Sequence, residues 1–203
     1  FVAAVYDQFC TARTKTTNFA VLKTELAQLE DYFHNASSGT DPLICYLNQP
    51  VLITPGVGIA TTTLPLANGA ANYTLFLLDT KIPRKTAPFV EHFLENCTEE
   101  VYLKRCLSEL IPASNDAVAA FLQAQWAVFF ELLHEISFFQ FKYFPKMIPG
   151  AFRQIWLEGL SGNNFKLKLC GAGGGGFILG MTRDFAKMER DYPLQSFVKV
   201  YAF

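Results

Sequence analysis

Charge is the scarcest property of this 203-residue chain: Asp, Glu, Lys and Arg supply 17% of it, while 51% is hydrophobic. The usual charged share is about 25%. That balance excludes a disordered tail and a solvated coiled coil, both of which need charge to remain in water. An excess of either sign is lacking too. Seventeen basic residues against eighteen acidic ones leave a formal net charge of -1, with no general attraction to a phosphate backbone or an anionic bilayer. Neither nucleic acid nor membrane is expected as a partner. No apolar run approaches the ~18 residues of a membrane span, because the Phe-rich stretch 117–144 is broken by Gln123, Gln125, Glu131 and Glu135. The opening residues, Phe1-Val2-Ala3-Ala4-Val5-Tyr6, carry no basic region and no small-residue cleavage site, so they do not read as a signal peptide.

Cysteine pairs are absent as well. Cys10, Cys45, Cys97, Cys106 and Cys170 are odd in number and scattered, with no CxxC and no His at zinc spacing. They are expected to be reduced core thiols, which points to a cytoplasmic location. What abounds is aromatic, with 20 Phe and 2 Trp. So large an apolar load implies either a large core or surface covered by protein outside this sequence.

The opening residues read as the inside of a helix without a cap, and further residues are expected to precede them. Leu22, Leu26, Leu29 and Phe33 then recur at helical spacing, and the turn formers from Ala36 to Pro42 stop that helix. Asp41 therefore falls at a junction between loop and the next element. Short apolar runs at 43–47 and 51–53 follow, then a Gly- and Thr-rich loop or edge at 55–63. Residues 73–78 read as a strand, with a basic turn after it and a helix begun by Thr86 with Pro88 in its first turn. Further helices are expected at 99–110, at 115–143 with Ser114 as cap, and at 151–160. Strands are expected at 165–169, 177–181 and 197–203. The pattern is that of an α+β protein with helices packed on an antiparallel sheet, divided near residues 55–68.

Three constellations carry chemistry. The run Gly171-Ala172-Gly173-Gly174-Gly175-Gly176 formally satisfies G-x-G-x-x-G, yet it lies between two strands, whereas a dinucleotide loop must open a helix. Without side chains it lets a backbone or a ligand approach closely, or presents N–H groups to an anion; a flexible hairpin is the lesser alternative, because so many consecutive glycines carry a heavy entropic cost for a mere turn. Glu30 and Asp41, eleven residues apart across Ser37-Ser38-Gly39, suit phosphoryl transfer, one holding Mg2+ and the other taking a proton. On spacing alone, a solvated helix residue and a turn former explain them better. Lys81, Arg84 and Lys85 beside Thr86 fit a phosphate or carboxylate if turned inward, and an ordinary solvated turn if not. Of the histidines, only His34 lies near the carboxylates.

Together these stretches resemble the GHMP kinase family, and its mevalonate kinase branch in particular. Residues 30–34 leading into Ser37-Ser38-Gly39-Thr40-Asp41 resemble the family's Glu-to-Asp segment. Asp79-Thr80-Lys81-Ile82-Pro83-Arg84-Lys85-Thr86 resembles the turn that reads Asn-Thr-Lys-Val-Pro-Arg-Ser-Thr in mevalonate kinases. Lys168-Leu169-Cys170, with the glycine run, resembles the third family motif. Departures include Thr40 for a hydrophobic residue, Asn35 for Gly and Lys85 for Ser. The family's ATP loop, Pro-x-x-x-Gly-Leu-x-Ser-Ser, does not occur in the sequence; Phe1 falls where the helix after it would continue.

The resemblance implies the C-terminal part of an S5-like N-terminal domain over residues 1–65, then a ferredoxin-like GHMP C-terminal domain over 66–203, with the active cleft between them. It implies ATP and Mg2+ as cofactors and a small-molecule alcohol as partner, mevalonate being favoured over a sugar or an amino alcohol; a homodimer and a non-catalytic fragment of the fold are also compatible with it. Asp41 would be the catalytic base, Glu30 the Mg2+ ligand, and His34, Arg84 and Thr86 substrate-binding residues. Ser37, Ser38, Gly39, Gly171, Ala172, Gly173, Gly174 and Gly175 would line the phosphate loop and cleft.

Overall fold

The computed structural model describes residues 1–10, 18–34, 37–66, 72–83 and 86–203, with the side chains of His34 and Thr86 outside that set. The chain divides into two compact units, Phe1–Leu64 and Pro65–Phe203.

In the first unit, α1 (Val2–Phe9), α2 (Phe19–His34) and α3 (Thr40–Leu47) precede a two-stranded hairpin, β1 (Val51–Thr54) and β2 (Gly58–Thr61). Asn18 begins α2 by accepting from the Ala20 and Val21 N–H groups at 3.0 and 3.3 Å, satisfying donors that a helix start leaves open. The apolar spacing of α2 does as expected: Leu22 and Leu26 are buried one turn apart and meet Val2, Tyr6 and Leu43. Tyr6 buries its ring and satisfies its hydroxyl by donating to Glu25 Oε2 at 2.6 Å.

The second unit is built on an antiparallel sheet. Its strands are β3 (Thr74–Asp79), β4 (Phe165–Leu169), β5 (Phe177–Thr182) and β6 (Ser196–Ala202), in the order β4-β5-β3-β6. Alternation along the strands sends side chains into two cores. Phe76 and Leu78 join Leu167, Leu169 and Ile178 around Trp156, whereas Leu75 and Met181 join Phe130, Leu133 and Phe203. The helices are α4 (Thr86–Asn96), α5 (Glu100–Arg105), α6 (Ile111–Leu122), α7 (Trp126–Tyr143), α8 (Arg153–Ser161) and α9 (Phe185–Asp191). Among the described residues, no helix is long and apolar enough to cross a membrane.

Three expectations need correction. The helix expected at 115–143 with Ser114 as cap does not exist as such. Ser114 lies inside α6, and the break comes at residues 123–125, where Ala124 takes the left-handed conformation at φ 56°. The helix expected at 99–110 does not end there, because Cys106–Leu110 forms a π turn in which the Ile111 N–H reaches back to Cys106 O. The widened turn brings the chain to Pro112 just where its missing N–H costs little. A short helix, α9, also stands where none was expected, started by Asp184 accepting from Lys187 N–H at 2.8 Å. Finally, the cysteines are all free, but only Cys106 is a core thiol; Cys45 and Cys170 are exposed.

Candidate functional site

In the first unit the two carboxylates of the Glu-to-Asp segment come together. Glu30, near the end of α2, and Asp41, in the first turn of α3, line one pocket of 400 Å³ with Phe33, Pro42 and Cys45. The segment between them is tied down by its own side chains. Ser37 donates its hydroxyl to Glu30 Oε2, and accepts from the Gly39 N–H at 2.9 Å. Ser38 accepts from the Thr40 N–H at 3.3 Å and lies 3.1 Å from the Thr40 hydroxyl.

Gly39 is required twice over. It sits at φ 70°, a conformation costly for any residue with a Cβ. A Cβ built there would fall 2.1 Å from Lys23 O and 2.9 Å from Ala27 Cβ. The start of α3 thus rests directly on the backbone of α2, which fixes the position from which Asp41 projects. Sequence spacing did not reveal the Ser37 contact or the apolar wall, although Phe33 stands three residues after Glu30 and Cys45 four after Asp41, positions that share a helix face.

In the second unit the glycine run is a strand, a loop and a strand, as its context required, and the loop is packed by the chain itself. Gly173, Gly174, Gly175 and Gly176 all have positive φ, at 77°, 75°, 155° and 68°. A Cβ would lie 2.4 Å from Met147 O at Gly173, 1.9 Å from the Phe89 ring at Gly174 and 2.5 Å from Ile82 O at Gly175. Two of the loop's N–H groups are already used: Gly174 donates to Met147 O at 2.6 Å and Gly176 to Ile82 O at 2.9 Å. The close approach that the glycines permit is therefore one to Phe89, Met147 and the 79–82 turn. Gly171 and Ala172 remain at the more open end of the loop, Gly171 being exposed.

That turn is the second motif read from the sequence. Thr80 is buried, and both its N–H and its hydroxyl donate to Gly176 O, at 2.9 and 2.7 Å. Lys81 takes φ 56° and folds back on Asp79, its N–H and ammonium donating to the carboxylate at 2.9 and 2.7 Å. Those bonds hold the Asp79 carboxyl below its ordinary value of 3.8. Lys81 is thus engaged by Asp79, while Arg84 lies outside the described residues. Thr86 begins α4, and its side chain, like that of His34, lies outside them too. The lysines of β4 are occupied locally: Lys166 donates to Gly159 O and Gly162 O at 2.9 and 2.7 Å, and Lys168 to Leu169 O at 2.7 Å. Burial lowers the pKa of both.

No family model matches the sequence, and no curated protein matches it. Solved structures do match, and they show the fold: a mixed helix and sheet chain that shares the fold of GHMP-type kinases. A mevalonate kinase of L. major in complex with R-mevalonate aligns with TM-score 0.64 and 13% identity, over 98% of this chain and 60% of that one. A Streptococcus pneumoniae phosphomevalonate kinase in complex with phosphomevalonate and AMPPNP aligns with TM-score 0.69 and 13% identity, over 98% and 66%. The Lin0012 protein of Listeria innocua aligns with TM-score 0.66 and 12% identity, over 97% and 62%. The chain thus spans less than two thirds of the length of each of these structures.

Proposed function

We propose that this chain is part of an ATP-dependent GHMP-type kinase that phosphorylates the hydroxyl of a small-molecule alcohol, with mevalonate the favoured acceptor and 5-phosphomevalonate the product. The observation that carries the reading is the convergence of Glu30 and Asp41 on one pocket at the start of α3. Asp41, exposed there, takes up the proton as the acceptor oxygen bonds to the terminal phosphorus of ATP and the bond from that phosphorus to ADP breaks. Glu30 suits Mg2+, which takes few carboxylates and completes its shell with water and phosphate oxygens. Among the described residues no set of three or more acidic, His or Cys side chains forms a metal cage, and the pair suits a nucleotide-borne ion better than a resident one. When bound, that ion neutralises charge on the transferring group.

In this reading Ser37, Ser38 and Gly39 hold the carboxylates in place. His34, Arg84 and Thr86 meet the acceptor, and Gly171, Ala172, Gly173, Gly174 and Gly175 brace the nucleotide-phosphate loop. The likeness to a phosphomevalonate kinase, at TM-score 0.69, keeps a phosphorylated alcohol as the second acceptor class.

The test is ADP release by the full-length protein with ATP, Mg2+ and a panel of mevalonate, phosphomevalonate, a sugar and an amino alcohol. Turnover is expected with mevalonate, and Asp41→Asn is expected to lower kcat by about 10²–10⁴-fold, the usual contribution of a positioned acid or base. A kcat unchanged in the variant removes Asp41 from the reaction.

A further inference from the structure

Ser37 makes three hydrogen bonds, and one of them reaches outside the carboxylate pocket. Its N–H donates to Asp31 Oδ1 at 2.5 Å, its hydroxyl donates to Glu30 Oε2, and the hydroxyl oxygen accepts from the Gly39 N–H at 2.9 Å. Glu30 and Asp31 are neighbours on α2, so their side chains leave the helix about 100° apart and face different ways. Ser37 spans that angle, its backbone on one carboxylate and its side chain on the other. Asp31 is exposed and does not line the pocket, whereas Ser37 and Glu30 are half-buried. A serine hydroxyl left to itself samples its rotamers and trades partners with water. Pinning the Ser37 backbone to Asp31 limits that freedom, since an N–H held by a carboxylate is bound more strongly than one held by a neutral acceptor. The hydroxyl then falls on one oxygen of Glu30 and leaves the other, Oε1, for an incoming ion.

We propose that Asp31 is a positioning residue for the kinase site: by holding the Ser37 N–H it sets the hydroxyl that fixes Glu30 for the metal ion carried by the nucleotide. The inference rests on the reading of Glu30 as a Mg2+ ligand. Asp31 touches neither ion nor acceptor in it and acts through Ser37. A rival account of its effect is charge, since Asp31 adds a third carboxylate to the segment and attracts a cation without holding anything in place. The two accounts part at asparagine. Asn keeps an oxygen acceptor for the Ser37 N–H and removes the charge, whereas Ala removes both. Positioning makes Asp31→Asn behave like the wild type and Asp31→Ala like Ser37→Ala. Charge makes the Asn and Ala variants behave alike.

The experiment compares the full-length wild type with Asp31→Asn, Asp31→Ala and Ser37→Ala. In the absence of ligand, NMR follows exchange of the Ser37 amide and the shift of the Glu30 side-chain carboxyl carbon. The amide is expected to exchange roughly 10-fold faster or more in Asp31→Ala, the loss that follows a hydrogen bond to a charged group, and to stay near the wild-type rate in Asp31→Asn. The Glu30 carbon should move in Asp31→Ala in the same direction as in Ser37→Ala. With ATP and the acceptor, the Mg2+ concentration for half-maximal rate should rise several-fold in Asp31→Ala, leave the acceptor KM unchanged, and rise no further when Ser37→Ala is added. An Asp31→Asn protein that matches Asp31→Ala in the Glu30 shift assigns the effect to charge and overturns the proposal. So does a Glu30 shift that stays at its wild-type value in Asp31→Ala. A wild type that turns over no acceptor defeats the kinase reading instead, and the two ligand-free signals then judge Asp31 by themselves.

Discussion

Gly174 lies against the ring of Phe89 so closely that a Cβ on the glycine would sit 1.9 Å from Cε2. The loop and α4 are therefore one packed unit, and the absence of a side chain is what allows it. Gly174→Ala should lower stability by about 2–4 kcal/mol, combining a left-handed backbone strained for alanine with overpacking against the ring. Thermal or urea unfolding measures this. Phe89→Ala is destabilising by itself, but it makes room. The double variant should be clearly more stable than the sum of the two single changes predicts, since residues in contact do not act additively. Strict additivity would mean that the clash is relieved elsewhere.

Gly39→Ala strikes the carboxylate segment in the same way. Its Cβ would meet the Lys23 carbonyl oxygen at 2.1 Å, and a backbone atom cannot swing aside as a side-chain end can. The expected outcome is a loss of about 2–4 kcal/mol together with a fall in kcat, because the first turn of α3 carries Asp41. Ser37→Ala, by contrast, makes no clash and removes the hydroxyl that donates to Glu30 and accepts from the Gly39 N–H. Its effect should fall on the Mg2+ concentration needed for half-maximal rate, read from Mg2+ titration of the steady-state rate.

The Asp79 pair sets a pH dependence whose sign is fixed. The Lys81 bonds depress the folded carboxyl below 3.8, so the stability they contribute is fully present above the unfolded value and is lost as pH falls through the folded one. Melting temperatures of the wild type and Asp79→Asn should differ above pH 3.8 and converge in more acidic buffer. The difference should be small, because the pair faces solvent, and should shrink in high salt. A gap that persists unchanged to strongly acidic pH would show that the amide acts through the Lys81 backbone turn instead of through charge.

The sheet was legible because its strands are short apolar runs bounded by turn formers, and the expected limits at 165–169 agree with β4 residue for residue. That Asp41 falls at a junction between loop and the next element was legible from Pro42 and the Ser-Ser-Gly turn; that the element is the helix α3, begun at Thr40, was not. What failed was local punctuation overruled by tertiary structure. The helix expected to end at 110 runs on instead, because the π turn carries it into α6. Ser114 looked like a cap, yet the chain breaks ten residues later at Ala124, whose type gives no warning of a left-handed conformation. The glycine run was read as letting a backbone or a ligand approach closely, and it is the backbone of Met147 and Ile82, with the Phe89 ring, that does so; which partner fills the space depends on contacts far along the chain, which periodicity does not encode.

Gln140 offers a probe of the strand that feeds the glycine loop. It is buried on α7, and its side-chain oxygen accepts from the Leu169 N–H at 2.9 Å, at the last residue of β4. β4 is an edge strand, so this N–H has no sheet partner on its open side. Gln140→Leu keeps roughly the same volume but strands a buried donor, a defect that costs about 1–3 kcal/mol. Gln140→Glu retains an acceptor but forces a charge into the core unless it protonates, so it should be comparably destabilised at neutral pH and partly recover as pH falls. Hydrogen exchange gives the local readout. The Leu169 amide should lose protection in Gln140→Leu by more than the global stability change accounts for, while the Leu167 amide should follow the global value. Equal losses at the two amides would mean that Gln140 acts through packing alone and that the end of β4 is held by other contacts.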